Sequence, residues 1–385
     1  MQHNHMVGIT PAHDNPDFAL MRGLGVRWVR QGYPFPFADE RGTLSAAFLD
    51  ADRQIERFRA EGFEVLCSFT GPGSMRYAPE SGKTVYCRAV PEYLGDPSSD
   101  RYHKLLFEAA AFLGEYTRGR VTWWQIANEP DIDIFYGPLS ERDNIRYLLG
   151  AAGGIRKGNP DARCGINIGY INDYARMLIR EIYACPASPF AYLGIDGYMG
   201  SWQPGGPQSW KPYIDETARL SGKPVIINEW GFSSLQFGEK HTDPERKNHY
   251  NQDVCREKYW SATWGPGHTQ EGQARYISEC LPIFAEHPAV IGNFFFRWSD
   301  APHCWQCGEA DCPAECAWGC VDCGQQPKPA YYALRDGIRE RFGDGERPNA
   351  ETLAAMEETE RISNDPTAKT YDNLEEFFRD MEDTK

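Results

Sequence analysis

No stretch of the 385 residues approaches the roughly 20 apolar residues that a bilayer span requires. Basic residues are in the minority, 40 Lys and Arg against 55 Asp and Glu, for a formal net charge of −15. That balance argues against nucleic acid or an anionic membrane as partner. No glycine-rich phosphate turn follows the first strand-like run, which disfavours a doubly wound nucleotide-binding sheet. No set of His and Asp residues recurs across several strand ends, so a metal-dependent barrel hydrolase is disfavoured. His13 with Asp14, and His303, are weak exceptions of a kind common in loops. No leader is legible either, because Met1-Gln2-His3-Asn4-His5 runs straight into the first strand. The expectation is a cytosolic chain, or one whose leader has been removed.

What the chain does contain is a regular alternation of apolar runs and helical patterns, the mark of repeated β-α units around a parallel sheet. Eight strands are expected at 6–10, 26–30, 64–69, 122–127, 163–168, 193–198, 224–228 and 290–297. They are apolar along their whole length, as strands buried on both faces are. Helices are expected at 48–60, 102–116, 141–156, 172–183, 209–221 and 271–287, where apolar residues recur at helical spacing. Eight such units predict an α/β fold, a (β/α)8 TIM barrel with long βα loops. The Gly-, Pro- and Ser-rich segment 71–99 reads as a long loop over the active face. The barrel is assigned to 1–343 and an acidic helical tail to 344–385. From Gly343 onward there are 5 Lys and Arg against 13 Asp and Glu.

Two glutamates end two of the apolar runs. Glu129 closes Trp123-Trp124-Gln125-Ile126-Ala127-Asn128-Glu129-Pro130, and Glu229 closes Pro224-Val225-Ile226-Ile227-Asn228-Glu229-Trp230. Burying a carboxylate is costly, and catalytic groups of such barrels lie at the C-terminal strand ends. Each glutamate alone could cap a helix or pair with a base. Together, two carboxylates facing one bond are the machinery of glycoside hydrolysis.

On these residues the chain resembles glycoside hydrolase clan A, the retaining barrel glycosidases of the family 5 and family 39 kind, over roughly residues 6–341. The resemblance implies that Glu129 is the proton donor, Glu229 the nucleophile and Asn128 a ligand of the sugar 2-hydroxyl. It implies that Arg30, ending strand two, lies beside the nucleophile, where a cation favours the charged carboxylate. Glu129, next to that negative neighbour, should have a raised pKa. Tyr198 should touch the nucleophile. Asp196 stands where the clan often has histidine, which puts that sugar contact in question. Trp298 should lie under the sugar. Carboxyl groups about 5–5.5 Å apart and retention of configuration are expected. The sugar itself is not identified, and no cofactor is required. Trp202, Trp210, Trp260 and Trp264 fall in presumed active-face loops, where stacking on sugars and ordinary packing are both open.

The loop after strand eight holds Cys304, Cys307, Cys312, Cys316, Cys320 and Cys323. Two CxxC pairs, Cys304/Cys307 and Cys320/Cys323, suggest a structural zinc site. The alternative is disulfides, with Cys67, Cys87, Cys164, Cys185, Cys255 and Cys280 making local pairs in an oxidising compartment. Trp305 and Trp318 are expected as a wall of the cleft. The segment from Pro348 to Lys385 resembles the C-terminal half of RelB/DinJ-type antitoxins, which implies a RelE-type toxin as a conceivable partner. An acidic amphipathic tail is the plainer alternative. Carbohydrate is the expected ligand. A catalytically silent carbohydrate-binding barrel and a toxin-binding protein are the alternatives to a hydrolase.

Overall fold

The computed structural model describes residues 5–11, 13, 15–78, 83–184, 187–237, 262–305 and 307–343, with the backbone alone for 74–78 and 83–87. Asp14, Cys185, Cys255, Trp260 and the acidic tail 344–385 lie outside the described residues.

The strands are β1 (Met6–Ile9), β2 (Trp28–Tyr33), β3 (Glu64–Phe69), β4 (Gly73–Ala78), β5 (Lys83–Arg88), β6 (Trp123–Ile126), β7 (Arg163–Gly165), β8 (Asn167–Ile168), β9 (Leu193–Gly197), β10 (Val225–Trp230) and β11 (Val290–Phe295). Nine of them form one sheet in the order β7-β6-β3-β2-β1-β11-β10-β9-β8. Every pairing within it is parallel. The strands at the two ends, β7 and β8, are halves of a single run broken at Ile166. One half pairs with β6 and the other with β9. The sheet therefore closes on itself through eight strand positions, and these are the eight runs expected from sequence. The fold is a (β/α)8 barrel.

The helices are α1 (Phe18–Gly23), α2 (Ala46–Ala60), α3 (Asp100–Tyr116), α4 (Asp133–Tyr136), α5 (Glu141–Gly158), α6 (Asp173–Tyr183), α7 (Trp210–Ser221), α8 (Gln270–Glu286) and α9 (Pro329–Phe342). Side-chain oxygens of Ser45, Ser99, Ser140, Asn172 and Thr269 accept the N–H three residues on and so set where α2, α3, α5, α6 and α8 begin. The six expected helices are present within two residues at either end. The short helices α1 and α4, the strands β4 and β5 and the helix α9 lie outside the expectation. The presumed loop after β3 contains the antiparallel pair β4–β5. The chain also ends its barrel with α9, whose Ala330, Tyr331, Leu334 and Ile338 are buried.

Alternation along the strands sorts the core into two shells. Met6, Leu66, Tyr192, Ile226 and Phe294 fill the barrel interior. Their neighbours Val7, Val65, Cys67, Val225 and Ile227 face the helices. This sorting corrects one expectation: Cys67, Cys164 and Cys280 are separate buried thiols on β3, β7 and α8, not members of local pairs. Among the described residues no helix is long and apolar enough to cross a membrane.

Helices α3 and α5 approach closely at Gly158, where an added Cβ would lie 2.0 Å from the Ala111 carbonyl oxygen. About two turns earlier in α5 the packing is open: a Cβ at Gly150 would meet only Leu106 Cδ2, at 4.0 Å. Gly158→Ala is expected to destabilise the barrel by about 1–3 kcal/mol through overpacking against backbone. Gly150→Ala is expected to stabilise it by roughly 0.5–1 kcal/mol through helix propensity. Thermal denaturation of the two variants, moving in opposite directions, checks the contrast.

Candidate active site

Arg30, in β2, reaches across the C-terminal mouth of the barrel. Its Nε donates to Gln125 Oε1 at 2.7 Å, its Nη2 to Asn128 Oδ1 at 2.7 Å and its Nη1 to Glu229 Oε1 at 2.5 Å. One guanidinium thus joins β2, β6 and β10. Burial works against its charge, but the carboxylates of Glu229 and Asp196 outweigh that effect and hold its pKa above the ordinary value.

Glu229 sits at an irregularity in β10. Ile227 is in register with Ile195 and Glu229 with Asp196, so Asn228 has no partner in β9. A bulge of this kind re-aims side chains that strict alternation would oppose. Asn228 turns into the barrel and donates to Gln125 Oε1 at 2.8 Å. Glu229 faces the mouth, where its Oε2 accepts from the Tyr198 hydroxyl. Burial first, and then the Glu229 carboxylate, raise the Tyr198 pKa well above normal, so the phenol keeps the proton it donates.

Glu129 follows β6 on a backbone bent out of the usual regions, with φ of 61° at Ala127 and 40° at Glu129. Non-glycine residues hold such angles only where surroundings enforce them. Here Ala127 N–H donates to Phe69 O at 2.9 Å, Gln125 Nε2 to Ala127 O at 2.7 Å, and Glu129 N–H to Asn167 Oδ1 at 3.1 Å. The carboxyl group lies against Gly169, where an added Cβ would come within 2.6 Å of Oε1. Burial, then the Glu229 and Asp131 carboxylates, push the Glu129 pKa well above the usual value, with Arg30 opposing.

The two glutamates line one pocket of about 550 Å³, together with Asn128, Tyr170, Tyr198, Trp202, Phe296, Trp305, Glu315 and Trp318 among others. Trp305 and Trp318 form part of its wall, as expected. The ring of Tyr198 meets those of Trp318 and Phe296 edge-on, at 4.8 Å and 5.9 Å between centroids. Glu129, Glu229, Asn128, Arg30 and Tyr198 are therefore brought together.

Trp298 and Asp196 are not on the pocket wall. Trp298 is fully buried, donates its indole N–H to Gln325 and packs on Tyr331; Phe296, two residues earlier, supplies the ring at the mouth. Asp196 is buried beneath the pocket and accepts from Asn167 Nδ2 at 2.6 Å. Burial, then Glu229 and Glu129, raise its pKa well above normal. Trp210 is a core residue bonded to the Tyr276 hydroxyl, and Trp264 packs on Phe232 and Tyr276. His13 accepts from Asn15 N–H, and His303 is exposed.

The expected zinc set also differs. Cys304 and Cys307 gather with Cys312, their sulfurs within 4.8 Å of one another. Cys320 instead donates to the Trp298 carbonyl at 3.3 Å, because its segment pairs with the extension of β11 through Ser299 and Val321. Cys323 is exposed.

Sequence reasoning missed Gln125, Asn167 and Asp131. Each carries the same faint signal, a polar residue within or just beyond an apolar strand. Asn167 Nδ2 also donates to Asn128 Oδ1 at 3.1 Å. Asp131 accepts the backbone N–H groups of Gly169 and Tyr170, both at 2.9 Å, and so fixes the wall against which Glu129 lies.

No protein-family model and no curated protein matches the chain. Solved structures do. A GH53 catalytic domain from Ignisphaera aggregans aligns with a TM-score of 0.55 over 85% of this chain and 91% of that one, at 18% identity. Xylanase 10B from Thermotoga maritima aligns with a TM-score of 0.59 over 88% of this chain and 96% of its own, at 15% identity. A family 39 glycoside hydrolase from Bacteroides cellulosilyticus WH2 gives 0.55 over 88% of this chain at 16% identity, and the match spans 64% of that longer protein. The likeness is one of fold, and it is the fold to which the two glutamate motifs pointed.

Asp131 generates a test of this geometry. Burial raises its pKa from 3.8 to about 6 despite its backbone bonds. A raised folded-state pKa contributes stability that is complete below 3.8 and is lost as pH rises through about 6. Asp131→Asn should flatten the stability profile across that window, removing a slope of at most roughly 1.4 kcal/mol per pH unit. Denaturant midpoints measured at stepped pH check it; parallel profiles for the two proteins would refute it.

Proposed function

We propose that this chain is a retaining glycoside hydrolase acting on β-glycosidic bonds. The observation that carries the proposal is the convergence of Glu129 and Glu229 on one aromatic-walled pocket in unlike surroundings. Glu229 is oriented by Arg30 and Tyr198. Glu129 is desolvated and has its pKa raised. That the similar structures carry the names of a xylanase, a GH53 domain and a family 39 glycoside hydrolase supports the same reading.

In the first step a Glu229 oxygen attacks the anomeric carbon as the bond to the leaving oxygen breaks, and Glu129 gives its proton to that oxygen. In the second step Glu129, now the base, takes a proton from water as the water oxygen displaces Glu229. Asn128 has its Oδ1 engaged by Arg30 and Asn167. Its amide N–H is then the group it offers to a sugar hydroxyl. Trp202, Trp305, Trp318 and Phe296 supply apolar faces of the kind on which sugar rings stack.

A panel of aryl β-glycosides and β-linked oligosaccharides tests the proposal. Glu229→Gln should abolish turnover. Glu129→Gln should slow substrates with poor leaving groups by about 10²–10⁴-fold and activated aryl substrates far less. Because the first step needs protonated Glu129, kcat/KM should fall as pH rises through its raised pKa, and Glu129→Gln should lose that alkaline limb. Proton NMR of early product should show the β-anomer; an α-anomer would rule out double displacement.

A further inference from the structure

The loop after β11 contains a cluster of thiols for which the proposed hydrolysis has no use. Cys304, Cys307 and Cys312 are 1%, 3% and 0% exposed, and their sulfurs lie within 4.8 Å of one another. Cys316 packs in the same cluster. Two local turns build this arrangement. Gly308, at φ 77°, closes a turn in which its N–H donates to Cys304 O at 2.7 Å, bringing Cys304 and Cys307 to one side. Cys316 N–H donates to Cys312 O at 3.0 Å, a helical turn that puts residues four apart on one face. The Glu309 carbonyl joins the two halves, accepting from Cys304 N–H at 2.8 Å and from Cys316 Sγ at 3.5 Å.

We propose that Cys304, Cys307, Cys312 and Cys316 hold one structural zinc ion as a tetrathiolate. Zinc–sulfur bonds of about 2.3 Å in a tetrahedron place sulfurs roughly 3.8 Å apart, a small contraction for Cys304, Cys307 and Cys312. Cys316, which packs beside them, would complete the set by turning its thiol away from the Glu309 carbonyl. Disulfides would instead draw sulfurs together in pairs at about 2.05 Å, which a three-way cluster does not favour. Four buried thiolates fill the coordination sphere and leave no open position for a substrate, so the ion is structural. On binding, the four thiols release four protons to solvent and form four Zn–S bonds, with no change of oxidation state.

The site stands directly behind the pocket. Its thiols pack with Trp318 and against Tyr198, Trp202 and Phe296. Trp305 lies between the first two ligands, and Glu315 between the last two. The ion would therefore fix the wall formed by this loop, and the assignment holds whatever reaction the pocket performs.

Metal analysis of the full-length protein expressed with zinc, together with its variants, tests the ligand set. One zinc per chain is expected in the wild type and in Cys320→Ser and Cys323→Ser, and its loss in Cys312→Ser and Cys316→Ser. Since ligand variants can also misfold, the metal-stripped wild type should be titrated with Co²⁺. A tetrahedral thiolate spectrum saturating at one equivalent is expected. A wild type without stoichiometric zinc, bound iron in its place, absence of the cobalt spectrum, zinc lost from Cys320→Ser but kept by Cys312→Ser, or disulfides among the four residues in freshly purified protein would each overturn the assignment.

Discussion

The buried guanidinium of Arg30 is the constraint around which the mouth of the barrel is arranged. Three carboxyl groups, Glu129, Glu229 and Asp196, interact with it and with one another. A single cation cannot compensate three anions in a poorly hydrated space. It bonds directly to Glu229. The other two are left to burial and mutual repulsion, which favour their protonated forms. The raised proton affinities of Glu129 and Asp196 thus follow from burial and a shortage of positive charge, before any chemistry is invoked.

The geometry that holds these groups together is carried by amides. Gln125, Asn128, Asn167 and Asn228 connect β2, β6, β8 and β10 through bonds of 2.7–3.1 Å. Amides donate and accept without adding charge, so they can fill a barrel mouth already rich in carboxylates. They also hold the bent backbone at Ala127 and Glu129, which an isolated chain would avoid. A change at one of them would be felt at several others, since buried networks are costly when partly satisfied.

The wall facing these groups is built differently. Much of it comes from the connection after β11, which places rings and Glu315 at the pocket with little regular structure of its own. Loops over a barrel mouth carry specificity because the strands beneath them are rigid. A long connection of this kind needs some internal tie, and its packed thiols occupy the place where such a tie would lie.

The sequence by itself determined the barrel and the two strand-end glutamates. Strands buried on both faces must be apolar throughout, and helices covering them must be apolar on one side, so both leave patterns visible without coordinates. Apolar spacing placed the helix starts only to within two residues, since the caps that set them, such as Ser45 and Ser99, are polar and lie outside that pattern. Only the tertiary structure decided that Phe296, and not Trp298, faces the mouth: a ring's direction past the end of a strand depends on the path the chain takes beyond it, which here pairs with the segment around Val321. The same holds for the cysteines. Spacing along the chain suggested two CxxC pairs, but strand pairing pulls Cys320 into the core while a helical turn brings Cys312 and Cys316 to the others. Proximity between distant residues is set by backbone hydrogen bonds between segments, and no local pattern encodes those.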